Sequence, residues 1–337
     1  MNSSERLKRR LKGETVDRPP NFDIFMTYAA HFINQPLSRY YEDYRVLCDA
    51  NMAVLEAYGL DIVQAISDPY REAADFGLEV VFPYDDLPHA KQPLIVELED
   101  IEKIKRRSSL IGKRMADRVE AVHLFNTKVG DDVPIMGWVE GALAEAVDLR
   151  GVSKILIDMY DNPDWLVELL EVIVETQISF ANAQIEAGAT MIGLGDAIAS
   201  QISPKMYRKF VLPYEKRIFN AVHKMGALAR LHICGNTTQI LEEMVESGAD
   251  IIDLDWKVDF QFAADLFGDR AVPCGNFDPV AIMLQGKPDE VYKATINCLK
   301  VNPKKTISAA GCEIPDKTPK DNLLAQKKAI QDFSFAV

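Results

Sequence analysis

Short apolar or β-branched runs, each followed by a longer helical pattern, recur about eight times along this chain, and few folds can absorb that rhythm. The strand candidates are Phe22–Met26, Asp61–Ile66, Val133–Val139, Thr190–Leu194, Ala227–Leu231, Asp250–Leu254, Arg270–Pro273 and Lys305–Ala309. Amphipathic helices are expected over Asn162–Ala187, Pro204–Met225, Thr238–Ser247, Phe260–Phe267, Pro288–Lys300 and Pro319–Phe333. Strand then helix, repeated so often within 337 residues, predicts an α/β protein of the TIM (β/α)₈ barrel type. The first half is less regular. Pro36–Tyr58 reads as helix, Leu78–Pro83 as an added strand or hairpin, and Glu97–Val129 as charged helical excursions, so the barrel carries N-terminal helical insertions. No linker, repeat or low-complexity stretch divides the chain, and residues 1–337 are expected to form a single barrel domain. A doubly wound sheet offers the same local pattern, but no Gly-x-Gly-x-x-Gly follows the first strand, and Gly193-Leu194-Gly195 lacks the third glycine.

Charge narrows the partners. With 51 Asp and Glu against 38 Lys and Arg, the formal charge is −13, which leaves no basic surplus for phosphates; neither nucleic acid nor an anionic membrane is an expected partner. Apolar stretches are broken by Asp or Glu far short of a membrane span, and Met1 to Gly13 lacks the apolar region of a signal peptide. The expected location is cytoplasmic. In a reducing compartment the five cysteines form no disulfide framework, so each is buried filler, a reactive thiolate or a metal ligand.

A barrel builds its active site from the loops at the C-terminal ends of its strands. Asp68, Glu140, Asp196, His232, Cys234, Asp255, Asn276 and Cys312 fall there. In extended geometry His232 and Cys234 point to one side and can grip one ion. Cys312, in Gly311-Cys312-Glu313, and Asp255, closing Asp250–Leu254, stand at equivalent strand ends. One imidazole, two thiols and a carboxylate on one rim suit zinc, with buried structural thiols as the open alternative. Two thiolates and a neutral imidazole cancel the charge of Zn²⁺, and Asp255 makes the sum about −1. Such an electron-rich zinc is a poor activator of water and a good holder of a thiolate, whose natural electrophile is an activated methyl group. Cys48 and Cys298 fall in helical patterns and read as packing; Cys274, at a strand end, is ambiguous between packing and pocket. Asp196 reads as pocket-lining or as a helix N-cap, and Asn276 and Glu140 have the same two readings.

Several motifs resemble the uroporphyrinogen decarboxylase superfamily over nearly the whole length. They are Arg6-Leu7 to Asp17-Arg18-Pro19-Pro20, Glu140-Gly141, Gln184 to Ala189, Leu212-Pro213-Tyr214, His232-Ile233-Cys234-Gly235-Asn236, Gly275-Asn276-Phe277-Asp278-Pro279 and Gly311-Cys312 with Thr318-Pro319 and Asn322. True decarboxylases of that superfamily carry an arginine-rich N-terminal loop that clamps tetrapyrrole carboxylates. Asn21 to Tyr28 holds no arginine, and an acidic chain repels an octa-anion, so porphyrinogen decarboxylation is rejected. The chain instead resembles the corrinoid-linked zinc methyltransferases, notably methylcobamide:coenzyme M methyltransferases. That resemblance implies Zn²⁺ on His232, Cys234 and Cys312 with an acid near Asp255; Asp196, Glu140 and Asn276 are catalytic candidates by their strand-end positions. It also implies a corrinoid (cobalamin) carried by a partner protein and a small methyl donor or acceptor such as a thiol. Two alternatives stand beside it: O-demethylation of a methoxylated aromatic donor, which Phe22, Phe25, Tyr28 and Phe32 would suit, and a metal-free binding or structural barrel.

Overall fold

The structure, a computed structural model, describes residues 1–108 and 110–333. Its strands are β1 (Val63–Gln64), β2 (Val80–Val81), β3 (His89–Ala90), β4 (Ile135–Glu140), β5 (Met191–Gly195), β6 (Leu228–His232), β7 (Ile251–Leu254), β8 (Val272–Phe277) and β9 (Ile307–Ala310). Seven of them form one parallel sheet in the order β1-β4-β5-β6-β7-β8-β9, curled into a TIM barrel. The strand or hairpin expected over Leu78–Pro83 is the strand β2, paired antiparallel with β3 beyond that range. Every residue of β4, β5, β7, β8 and β9 is buried, as strands covered on both faces must be. One apolar layer fills the barrel interior (Phe22, Ile62, Met136, Met191, Ile251, Val272, Ile307), and a larger one lies between sheet and helices.

The expected first strand, Phe22–Met26, is not a strand. A single parallel bridge joins Asn21 to Ser308 on β9, through Phe22 N–H to Ser308 O (2.8 Å) and Ser308 N–H to Pro20 O (2.9 Å). The next β9 donor, Ala310 N–H, goes to the Asp23 carboxylate (2.8 Å), so the segment leaves the ladder after one rung. On its other side Asp61 N–H donates to Asn21 O (2.9 Å) and Gln64 Nε2 to Asp23 O (2.7 Å). The eighth position of the ring is thus occupied by chain held by a few backbone bonds together with the side chains of Asp23 and Gln64.

Two expected helices are each split in two. Pro204–Phe210 and Leu212–Lys224 meet at Val211, because Pro213 lacks the N–H that a continuous helix would use. Leu37–Glu42 and Tyr44–Tyr58 meet at Asp43, whose side chain accepts from Arg45 N–H as an N-cap. Within Glu97–Val129 the structure has Ile101–Lys105 and Lys113–Val129 as helices; residue 109 lies outside the described residues. Among the described residues no helix is long and apolar enough to cross a membrane.

The opening motif Arg6 to Arg18 locks the bottom of the barrel. Arg6 and Arg18 both donate to the fully buried Asp61 at 2.6 Å, and Arg6 also grips Asp17. It lies at the end opposite the strand C-termini and serves stability.

Candidate metal centre

The strand register decides which side chains meet. Glu140 of β4, Gly195 of β5, His232 of β6, Asp253 of β7 and Cys274 of β8 are successive partners across the ladder, so they lie at one level of the barrel. The chain then leaves β6 through Ile233 to Cys234, and leaves β9 through Gly311 to Cys312. His232 Nε2 stands 3.1 Å from Cys234 Sγ, the two sulfurs are 3.4 Å apart, and Cys312 Sγ is 3.9 Å from Nε2. Residues 80 positions apart along the chain therefore present three soft donors to one point. They are the one group of three or more His, Cys, Asp or Glu side chains with metal-holding geometry among the described residues.

Behind them, His232 Nδ1 is 2.8 Å from Asp253 Oδ2, which turns Nε2 toward the sulfurs. Asp253 is held in turn by Arg230 Nε, at 2.9 and 3.0 Å from its two oxygens, and Arg230 also donates to Phe22 O (3.1 Å). Burial works against the charges of Asp253 and His232, but Arg230 and His232 hold the Asp253 carboxyl below its usual range, and Cys234 with Asp253 holds the imidazole well above its own. The thiols split one proton unequally. The hydrogen bond from Cys234 pushes Cys312 down to about 4, while the same bond pushes Cys234 up.

The other sequence candidates scatter. Asp255 does not join the group: Oδ2 accepts from Gly235 N–H (2.8 Å) and Oδ1 from Lys257 N–H (3.0 Å), which ties the two metal-side loops together. Asn276 Nδ2 donates to the carbonyls of Val258 (2.9 Å) and Asp255 (3.3 Å), bracing the loop after β7. Asp196 is fully buried against the start of helix Ala142–Arg150, and it fits because residue 141 is glycine: a Cβ there would lie 2.1 Å from Asp196 Oδ2. Burial pushes its carboxyl well above the usual range. Glu140 does face the site. Its Oε1 accepts from Arg71 (2.6 Å) and from Trp138 Nε1 (3.2 Å), and burial pushes it up to about 7. Cys48, Cys274 and Cys298 are buried away from the triad.

A cavity of about 200 Å³ opens over the three donors, walled by Ile24, Met26, Ile66, Trp138, Glu140 and Glu313. The indole of Trp138 lies over Gly193 and Gly195, where added Cβ atoms would stand 2.3 and 2.8 Å from its ring. Phe22, Phe25, Tyr28 and Phe32 do not line the cavity; the last three stack on one another and on Tyr58. Sequence reasoning missed Asp253, because strand pairing is invisible in one sequence, and passed over Glu313 although it adjoins Cys312. Glu313 Oε1 accepts from Thr27 N–H and Oγ1, both at 2.9 Å, and burial pushes it up to about 7. Behind Glu140 lies a further acidic cluster, Glu72, Glu145 and Asp148, with Arg71 among them.

Residues 2–333 match the uroporphyrinogen decarboxylase (URO-D) family. The chain belongs to that family. Among URO-D relatives, the methylcobamide:CoM methyltransferase MtbA of Methanosarcina acetivorans is 30% identical over 98% of both chains. A uroporphyrinogen decarboxylase of Hydrogenovibrio crunogenus is 27% identical over 88% of this chain and 87% of its own. In three dimensions, a methyltransferase from Methanosarcina mazei superposes with a TM-score of 0.84 at 25% identity over 99% of both chains. This chain's relatives thus include both decarboxylases and methyltransferases, which differ in chemistry.

Proposed function

We propose that this chain moves a methyl group between a corrinoid carried by a separate protein and a small thiol, with a zinc ion held by His232, Cys234 and Cys312. The observation that carries the reading is the convergence of one imidazole nitrogen and two sulfurs beneath a small cavity. The fit is geometric as well as chemical. With Zn–S about 2.3 Å and Zn–N about 2.0 Å, donors around a tetrahedral zinc stand roughly 3.5–3.8 Å apart; the three pairs here stand at 3.1, 3.4 and 3.9 Å. Bound there, the ion would carry no net charge and would supply a site that keeps a thiol deprotonated at neutral pH.

The chain's own residues do the rest. Asp253 fixes the tautomer and direction of His232, and Arg230 fixes Asp253. Asp255 and Asn276 hold the loops that carry the sulfurs' neighbours. The thiol proton must leave as the sulfur becomes a thiolate, before that sulfur takes the methyl group and the electron pair of the broken Co–C bond stays on cobalt. Glu140 and Glu313, both near neutrality in their proton affinity, are the carboxyls in the cavity wall able to receive the proton. The methyltransferase names of the relatives support this direction. The aromatic-donor reading loses its sequence support, since the rings that suggested it pack on each other away from the cavity.

The test is metal content and turnover together. We expect about one zinc per chain, lost in Cys234→Ser and in Cys312→Ser, and zinc-dependent demethylation of methylcobalamin by thiols, followed in the cobalt spectrum. A metal-free protein whose melting curve ignores chelator would instead support a binding or structural barrel.

A further inference from the structure

The cavity above the three donors has no place for an anion. Its ionisable wall residues besides the triad are Glu140 and Glu313; no Lys or Arg lines it. The basic groups nearby are engaged elsewhere, Arg114 with Asp68 and the Tyr41 carbonyl. Arg71 stands fully buried behind Glu140, bonded to its Oε1 at 2.6 Å. Arg230 lies beneath His232, engaged with Asp253. On the rim, Lys257 sits over the Trp256 ring, 5.6 Å from its centroid. Glu313 has no basic partner among the described residues; Thr27 donates to it from N–H and from Oγ1. With His232, Cys234 and Cys312 neutralising a zinc ion, nothing positive remains for a ligand's anionic tail.

We infer, resting on the function proposed above, that the methyl-accepting thiol is a small cationic one, an aminothiol whose ammonium faces Glu313 and the indole of Trp138, and that anionic thiols are refused. An ammonium gains a charge-assisted hydrogen bond from a carboxylate and attraction to an indole face. A sulfonate or carboxylate entering the same space loses its water without a counter-charge. Protonating the two acids does not rescue it, because a neutral carboxyl offers no positive charge. Glu313 adjoins Cys312 in the cavity wall and Trp138 and Glu140 line the same space, so a two-carbon thiol whose sulfur reaches the donors carries its other end past these walls. The preference departs from the coenzyme in the relatives' names, and it rests on wall residues of this chain.

Three two-carbon thiols decide it: cysteamine, 2-mercaptoethanol and 2-mercaptoethanesulfonate, each given to the zinc-loaded protein with methylcobalamin. We expect kcat/KM to favour cysteamine over the sulfonate at least about tenfold, with 2-mercaptoethanol between them. Glu313→Gln should shrink that ratio severalfold at unchanged zinc content; taking the ratio between variants removes the thiols' intrinsic differences in reactivity. A sulfonate used as well as cysteamine, or a ratio unmoved by Glu313→Gln, overturns the inference and leaves methyl transfer standing. If no thiol is methylated, the functional reading fails, and calorimetric binding of the same thiols still decides: cysteamine bound no better than the sulfonate overturns the charge preference too.

Discussion

Two buried ionic networks flank the cavity, and they are finished to different degrees. Behind His232, the chain His232–Asp253–Arg230 uses its groups fully: Arg230 donates to both oxygens of Asp253 and to Phe22 O, and Asp253 receives His232. Behind Glu140, four carboxyls (Glu72, Glu140, Glu145, Asp148) gather around Arg71, and several atoms make no hydrogen bond: both oxygens of Glu145, Nη1 of Arg71, and Arg71 Nε and Glu72 Oε2, which face each other at 3.6 Å. One arginine cannot neutralise four carboxylates, so burial and mutual repulsion push Glu145 well up, Glu140 to about 7 and Asp148 to about 8. A saturated network holds one geometry; an unsaturated one holds protons that can leave. The first suits the positioning of donors, the second the wall of a reaction that releases a proton.

The sharpest way to break the contrast is at Asp253. Asp253→Asn removes a charge that both Arg230 and His232 face, leaving Arg230 buried without a counter-ion. It should cost about 3–5 kcal/mol in denaturant unfolding and lower zinc affinity roughly ten- to a hundredfold in competition with a chelating dye. If Asp253→Asn unfolds and binds zinc like the parent, the two networks do not differ as described.

A smaller effect tests the other side. An acid raised in the folded state keeps a proton there that the unfolded chain has lost, so folding weakens as pH rises between the two values. Glu140 acts from the ordinary 4.5 up to about 7, and Asp148 from 3.8 up to about 8. Melting temperature should therefore fall from pH 5 to pH 8. A curve that rises over that range contradicts the protonated cluster. Asp253, lowered, adds no slope there; its contribution is lost only as pH drops below its ordinary 3.8.

Smallest of all, Glu145→Gln mimics the neutral acid. It should match the parent at pH 4, where the carboxyl is mostly protonated in the folded and the unfolded chain alike, and exceed it by about 1 kcal/mol or more at pH 7, where only the unfolded chain has lost the proton. Equal loss at both pH values would mean that Glu145 is charged and paired after all.

The sequence makes one half of this molecule easier to read than the other, for a physical reason. From Thr190 onward each strand is an apolar run between amphipathic helices, and His232, Cys234 and Cys312 sit where such strands end, so their convergence follows from the fold. Asp255 and Asp253 show the limit. Both are acids at the end of β7, but only the register against β6 puts Asp253 beside His232, while Asp255 turns back onto Gly235 and Lys257. Phe22–Met26 looks like a strand by composition, and a single competing carboxylate, Asp23, takes the amide that would have continued it. The Glu72–Glu145 cluster is assembled from two distant segments, residues 71–72 and 140–148, by packing that no local pattern reports.

The glycines under Trp138 carry a last consequence. Because residues 193 and 195 have no side chains, the indole can lie down against β5, and the room above it becomes the chamber for whatever enters. A methyl group added at 193 would tip that ring upward, so the chamber's ceiling height is governed by a position that no incoming molecule ever touches.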